Sequence, residues 1–267
     1  MQPFAFARPQ TVEEAARILA EAGGEARLLA GGQTLIPTMK QGLSRPGVLV
    51  SLARCRELAG IAEEDGAIAV GAMTTHAAVA ADPFIRRALP GLARLAALIG
   101  DPAVRSRGTI GGSVSNADPA ADYPAALVAL DAEVETDRRR IPAAAFFTGL
   151  FETALEDGEI VTAIRFPPAR RTAYAKFRHP ASGYAVVGVF VAEAAHGSPR
   201  VGVTGAGAHA FRWREAEEAL ARHGWRPDAL RDLALEPEGL NSDPHADADY
   251  RAHLAGVMLR RAVEAAA

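Results

Sequence analysis

Two double-glycine segments stand where residue type and spacing could do chemistry. The first reads Leu28-Leu29-Ala30-Gly31-Gly32-Gln33-Thr34-Leu35. The second reads Thr109-Ile110-Gly111-Gly112-Ser113 and runs on through Asn116 to Asp122. Glycine lets a backbone come close to a ligand and adopt positive φ without a Cβ clash. Successive amides in such a turn form a nest that holds an anion. Two nests in one chain are what a ligand with two adjacent phosphates would need, a dinucleotide for example. On this reading Gly32→Val or Gly111→Val abolishes ligand retention, because a branched side chain would fill the space meant for the phosphates.

Other candidate groups are weaker. Gly205-Ala206-Gly207-Ala208-His209-Ala210 follows the strand-like Val201-Gly202-Val203-Thr204 and matches a dinucleotide fingerprint. A Rossmann unit also needs a second parallel strand with an acidic ribose binder about 20 residues on. Arg222 to Asp232 is a polar turn instead, so this stretch reads as a strand-to-helix turn. Asp243, His245, Asp247 and Asp249 could suggest a metal loop, but a calcium loop requires a glycine bend and a distal Glu at set positions. They read as helix-capping residues before Tyr250. Asp122 either caps the helix that starts at Tyr123-Pro124 or accepts hydrogen bonds from a ligand. Tyr184 is either a packed strand residue or an aromatic beside a flat ring system. Lys176 by type reads as solvated. There is neither a nucleophile elbow nor a Walker loop.

These residues need elements to position them. Thr11-Val12-Glu13-Glu14 is a capping box, so a helix begins there and stops at Gly23-Gly24. Arg27 to Ala30 reads as a strand, and Thr34 to Met39 starts a helical turn. Val48 to Leu52 and Ile68 to Gly71 are further strands, with Thr74 or Thr75 capping the next helix. Apolar residues from Ile85 to Leu98 recur near helical period. Pro124 to Leu130 reads as helix and Val134 to Thr136 as strand. Glu159 to Phe166 reads as a strand stopped by Pro167-Pro168, and past a boundary near Pro167 to Arg171 three more strands follow: Thr172 to Arg178, Tyr184 to Ala192 and Arg200 to Thr204. Their short connections predict an antiparallel sheet. Helices near Glu215 to Arg222 and from Tyr250 onward cover it.

The chain has 267 residues, 29 Lys+Arg against 32 Asp+Glu and a formal net charge of −3, so no broad electrostatic reason exists to bind nucleic acid or an acidic membrane. Its single cysteine, Cys55, cannot alone hold an iron–sulfur cluster or a zinc ion. The longest apolar run, Tyr184 to Ala192, is too short to span a bilayer. With no signal-peptide pattern at the N-terminus, a cytoplasmic location is expected.

Taken in order, the motifs resemble those of the FAD-binding medium subunits of molybdenum hydroxylases, the carbon monoxide dehydrogenase and xanthine dehydrogenase family. The resemblance rests on Phe4-x-x-x-Arg8-Pro9, Ala30-Gly31-Gly32-Gln33-Thr34-Leu35-Ile36-Pro37, Gly71-Ala72-Met73-Thr74-Thr75, Thr109-Ile110-Gly111-Gly112, Asp118-Pro119 with Asp122, Tyr250-Arg251, and Met258 to Ala262. It implies an α+β protein with the PCMH-type FAD-binding fold. Two α/β subdomains, 1–55 and 56–170, precede a C-terminal α+β domain, 171–267, with an antiparallel sheet. Carried over by position, Leu29, Ala30, Gly31, Gly32, Gln33 and Thr34 wrap the FAD pyrophosphate, with Thr109, Ile110, Gly111, Gly112 and Ser113 on its other side. Asp122 binds the polar tail or ribose, Ile99 packs against the isoalloxazine, Val161 and Lys176 lie near the flavin, and Tyr184 stands near its reactive side. Ser113 replaces a frequent Asn, and Gly183 an Asp frequent before the tyrosine.

The implied function is electron transfer within an oxidoreductase: partner iron–sulfur clusters feed FAD, which passes electrons to a terminal acceptor. Molybdopterin and [2Fe-2S] centres are expected on a large and a small partner subunit, in a dimer of heterotrimers. A self-contained flavin-dependent oxidoreductase of the same fold is the alternative. Substrate and acceptor stay open.

Overall fold

A computed structural model describes residues 2–266. The first block contains β1 (Ala5–Ala7), α1 (Val12–Glu21), β2 (Ala26–Leu29), α2 (Leu35–Lys40) and β3 (Val48–Ser51). Thr11 Oγ1 accepts the Glu14 amide at 3.1 Å and starts α1 as the capping box predicts. The three strands pair in the order β1-β3-β2, all parallel. Ala15 of α1 meets Val50, Leu52, Cys55 and Leu58 in a small core beneath the sheet. β2 thus ends at a sheet edge where residues 30–34 are free to turn.

The second block is built on an antiparallel sheet in the order β4-β5-β10-β6-β7. Its strands are β4 (Ile61–Glu64), β5 (Ala67–Gly71), β6 (Glu133–Thr136), β7 (Arg140–Pro142) and β10 (Val161–Phe166). A small hairpin, β8 (Phe147–Gly149) and β9 (Glu152–Thr153), interrupts the series. The helices are α3 (His76–Ala81), α4 (Pro83–Ala88), α5 (Pro90–Ala97), α6 (Pro102–Arg107), α7 (Ile110–Asn116), α8 (Tyr123–Ala129) and α9 (Ala143–Phe146). The periodic stretch from Ile85 to Leu98 is two helices, not one. Leu89 sits at φ −136°, ψ 65°, because Pro90 excludes helical backbone before it. The periodicity survives the break: Ile85, Leu89, Leu92 and Leu95 are all fully buried.

The third block is an antiparallel sheet, β11-β12-β13-β14. Its strands are β11 (Ala169–Arg178), β12 (Ala185–Ala194), β13 (Pro199–Thr204) and β14 (Phe211–Arg212), followed by α10 (Arg214–His223) and α11 (Ala248–Ala266). α5 and α8 of the second block cover one face and α11 covers the other. β12 therefore reads as a continuous apolar run, since both its faces are buried. Gly91 and Gly202 make the near face possible. A Cβ on Gly91 would meet the Ala173 backbone and one on Gly202 the Ala125 carbonyl. The third glycine stretch is a strand-to-strand turn rather than a strand-to-helix one. Gly205 takes φ +81° there, and the chain runs into β14 before α10 begins. Asp243 and Asp247 accept amides of the turn before α11 and of its first residues, and Asp243 also pairs with Arg251 at 2.6 Å.

Among the described residues, no helix is long and apolar enough to cross a membrane.

Candidate functional site

The first glycine loop leaves β2 at Leu29 and reaches α2 at Leu35. Gly32 takes φ +73°, which a residue with a Cβ adopts only at a cost. The amides of Gly31, Gly32, Gln33, Thr34 and Leu35 donate to no acceptor among the described residues. Thr34 precedes α2 without capping it, and Gln33 and Thr34 are exposed. Backbone donors that find no partner in the protein are open to solvent or to an anion.

The second glycine loop is different, and it corrects the expectation of two nests. Ile110 N donates to Thr74 O at 3.0 Å and Gly111 N to Ala72 O at 2.9 Å. Gly112 N donates to Thr109 Oγ1 and Ser113 N to Thr109 O, both at 3.1 Å. Of residues 109–113, the amides of Ile110 to Ser113 are all taken within the protein, and that of Thr109 alone meets no acceptor among the described residues. Thr109, Ile110 and Gly111 are buried, and a Cβ on Gly111 would meet Ala72 Cα and O at 2.8 Å. That glycine lets α7 press onto the turn after β5. The reason first given for Gly111, room for a phosphate, therefore fails.

The two loops nevertheless touch. A Cβ on Gly31 would collide with the Arg107 carbonyl and lie 2.7 Å from Gly108 Cα. One on Gly112 would stand 3.4 Å from Ala30 Cβ. The half-buried Gly112 and Ser113 so flank the free amides of the first loop.

From there α6 runs back to a second cluster, about 9 Å along its six residues. Three consecutive carbonyls, those of residues 98–100, are each gripped by a cation. Lys176 Nζ donates to Leu98 O at 3.3 Å, Arg105 Nη1 to Ile99 O at 2.8 Å and to Gly100 O at 3.1 Å, and Arg178 Nη2 to Gly100 O at 3.2 Å. Ile99, half-buried, is presented by this held loop.

Lys176 is not solvated: its side chain is 2 % exposed and it pairs with Asp122 at 2.9 Å. Tyr174 donates its hydroxyl to the other Asp122 oxygen. Asp122 makes no helix-capping bond. Burial pushes its carboxyl upward, against the Lys176 ammonium and the Tyr174 hydroxyl. Burial and the neighbouring Asp122 raise the Tyr174 phenol in turn. This network ties the loop before α8 to β11, across two blocks of the chain.

Tyr184 stands 42 % exposed at the start of β12, above that loop. Burial, then the Asp118 and Asp122 carboxylates, push its phenol up. Val161 is 6 % exposed and belongs to the large core behind β10.

Tyr174 and Arg178 escaped the sequence reading, although a signal was present. Residues 174, 176 and 178 alternate along one strand and so share one face, while Ala175 and Phe177 pack on the other side. Arg105 and His76 had no such signal. His76 lies buried under the second loop, where a Cβ on Gly108 would meet its Nε2 at 2.6 Å. Burial, then Arg105, lowers it to about 4. Its Nδ1 and the hydroxyl of Tyr123, whose ring centre is 5.4 Å away, have no hydrogen-bond partner. No cluster of three His, Cys, Asp or Glu side chains among the described residues is placed to hold a metal ion.

The site fits a dinucleotide: five free amides and two exposed polar side chains at one end, an aliphatic and an exposed aromatic side chain at the other. Comparison with known proteins agrees. Residues 2–169 match the model of the FAD binding domain in molybdopterin dehydrogenase, and residues 172–266 that of the CO dehydrogenase flavoprotein C-terminal domain. The chain is 35 % identical to the carbon monoxide dehydrogenase medium chain of Hydrogenophaga pseudoflava, over 98 % of this chain and 96 % of that one. It is also 35 % identical to the 6-hydroxypseudooxynicotine dehydrogenase complex subunit alpha of Paenarthrobacter nicotinovorans, over 97 % and 92 %. Reconstituted CO dehydrogenase from Oligotropha carboxidovorans superposes with a TM-score of 0.91 at 35 % identity, covering 99 % of this chain and 98 % of that chain. The free amides, the flanking glycine loop and matches along nearly the whole length lead to one assignment: this chain belongs to the family of FAD-binding medium subunits of molybdopterin dehydrogenases.

Proposed function

We propose that this chain carries FAD as the electron-transfer subunit of a molybdenum-containing hydroxylase or dehydrogenase. The observation that carries the proposal is the run of unpaired amides from Gly31 to Leu35 beside the half-buried Gly112 and Ser113. The pyrophosphate lies on those amides, with Leu29 and Ala30 behind the turn and the Gln33 and Thr34 side chains at its rim. Thr109, Ile110 and Gly111 act from behind, setting the position of Gly112 and Ser113. Asp122 has accepted two protein hydrogen bonds and keeps lone pairs for a ribityl or ribose hydroxyl. Ile99 and Tyr184 bracket the ring, Lys176 fixes the loop that bears Ile99, and Val161 packs the wall behind.

FAD supplies the electron-carrying chemistry when bound. The protein binds it, orients it and shields it from water. The chain is divided into units 1–55, 56–170 and 171–267. Its partners are a large molybdopterin subunit and a small [2Fe-2S] subunit, in a dimer of heterotrimers in the cytoplasm.

The test is affinity purification of the natively expressed chain, with an absorption spectrum and a subunit gel. A flavin spectrum with a co-purifying large and a small subunit is the expected result. A yellow protein that stays alone and reduces its flavin with a small molecule would replace this reading with a self-contained oxidoreductase. A colourless protein that takes up no added FAD would overturn both.

A further inference from the structure

β11 ends at Arg178, and the chain returns through a tight turn to Tyr184. Within that turn Gly183 takes φ +76°. The Arg178 guanidinium occupies the space a side chain at 183 would use: a Cβ there would lie 2.8 Å from Nη2 and 3.1 Å from Nε. Arg178 forms no ion pair among the described residues; its hydrogen bond goes to the neutral carbonyl of Gly100, next to Ile99. The nearby carboxylate Asp122 is already matched by Lys176. Arg105 brings a third cation to the same loop. Glycine at 183 thus does two things. It admits the guanidinium, and it supplies no carboxylate to neutralise it.

We propose that Arg178 is a potential-setting residue: an uncompensated cation, held between Gly100 and Gly183 at the edge of the flavin ring, that favours the reduced cofactor. The proposal rests on the ring position given under Proposed function, between Ile99 and Tyr184. Reduction adds negative charge to the ring system, and a cation held nearby stabilises that charge by Coulomb attraction; Arg178 is exposed, so solvent screens part of its field. Arg178 touches no reacting atom by this account and acts through its field.

The test is a redox titration of flavin absorbance in the purified holoenzyme, comparing wild type with Arg178→Gln, Arg178→Lys and Gly183→Asp. Gln can still donate to the Gly100 carbonyl but has no charge. Lys keeps the charge and loses the fork. Asp at 183 sets a carboxylate against Arg178, whose guanidinium must shift to admit it, because a Cβ there lies 2.8 Å from Nη2. Flavin content per protein is read separately from the absorbance ratio. Arg178→Gln and Gly183→Asp are expected to lower the reduced-to-oxidised ratio at fixed potential about threefold to tenfold, where tenfold is about 30 mV for a two-electron couple. Arg178→Lys is expected to stay within about twofold of wild type. An unchanged potential in Arg178→Gln overturns the proposal. So does an equal shift in Arg178→Lys and Arg178→Gln, which would make the role one of loop geometry. Wild-type protein without flavin overturns this proposal together with the FAD reading, whereas flavin present at an unmoved potential overturns this one alone.

Discussion

The first glycine loop keeps the amides of Gly31 to Leu35 free, and the second commits those of Ile110 to Ser113 inside the protein. Both carry Gly-Gly followed by a polar side chain; the first pair precedes the short helix α2, and the second lies in the first turn of α7. The first leaves the edge of a small parallel sheet, where no acceptor among the described residues reaches its amides. The second is driven between β5 and α3, so Ala72, Thr74 and Thr109 meet its donors before any ligand could. The same sequence signature therefore does two jobs. One glycine pair opens a surface to an anion, and the other closes a packing joint that holds the surface in place.

That contrast can be broken by moving a Cβ into each loop. Gly111→Val should damage the protein before it damages the ligand site. The new side chain meets the Ala72 backbone, which cannot give way like a side-chain tip, and the cost is about 3 kcal/mol or more. Chemical denaturation is expected to show this loss in flavin-free protein, and a variant as stable as wild type would return the second loop to the ligand.

His76 sharpens the same point from beneath the second loop. It is buried, and burial followed by the Arg105 charge lowers its pKa to about 4 from the ordinary histidine value of about 6.5. The unfolded chain binds a proton between those values and the folded protein does not. Stability from this group is complete above pH 6.5 and is lost as pH falls toward 4, by at most about 3 kcal/mol. Urea unfolding at pH 7 and pH 4.5 should show a smaller drop in His76→Gln than in wild type. Equal drops would mean that other groups carry the acid sensitivity.

Gly32→Ala tests the open loop. Its Cβ meets the flexible Ile36 tip at 2.7 Å, and the φ of +73° is strained for alanine. We expect a stability cost of about 1 kcal/mol and a larger loss of flavin, roughly 2 kcal/mol or about thirtyfold in affinity, read from retained flavin per protein. If stability fell and flavin stayed, the two loops would be alike after all. Ser113→Ala, at the half-buried end of the second loop, should leave the melting temperature unmoved. It should weaken FAD by about 1 kcal/mol, the size of one hydrogen bond. No change in flavin affinity would confine the second loop to packing.

Much of the site was legible because local signals carried it. Glycine pairs, the Thr11 cap and the alternation of β11 depend on near neighbours in the chain. The errors share one cause. Lys176 read as solvated because its type favours water, yet β11 crosses the loop before α8 and delivers it to Asp122, 54 residues away in sequence. Asp122 read as a possible helix cap because Tyr123-Pro124 follows it, yet Tyr174 and Lys176 claim both of its oxygens. The break at Pro90 was visible in the sequence, but the strong period through Ile85, Leu92 and Leu95 concealed it.

By itself the sequence determined where most strands, helices and tight turns fall, which faces are apolar, and where the two glycine pairs let the backbone come close to a neighbour. Those properties follow from propensity, periodicity and the φ freedom of glycine, all set within a few residues. Only the tertiary structure decided which turn keeps its donors, which lysine loses its water, and which arginine stands without a counter-charge. Hydrogen-bond partners and desolvation come from segments distant in the chain, and no local pattern encodes what the fold will bring alongside.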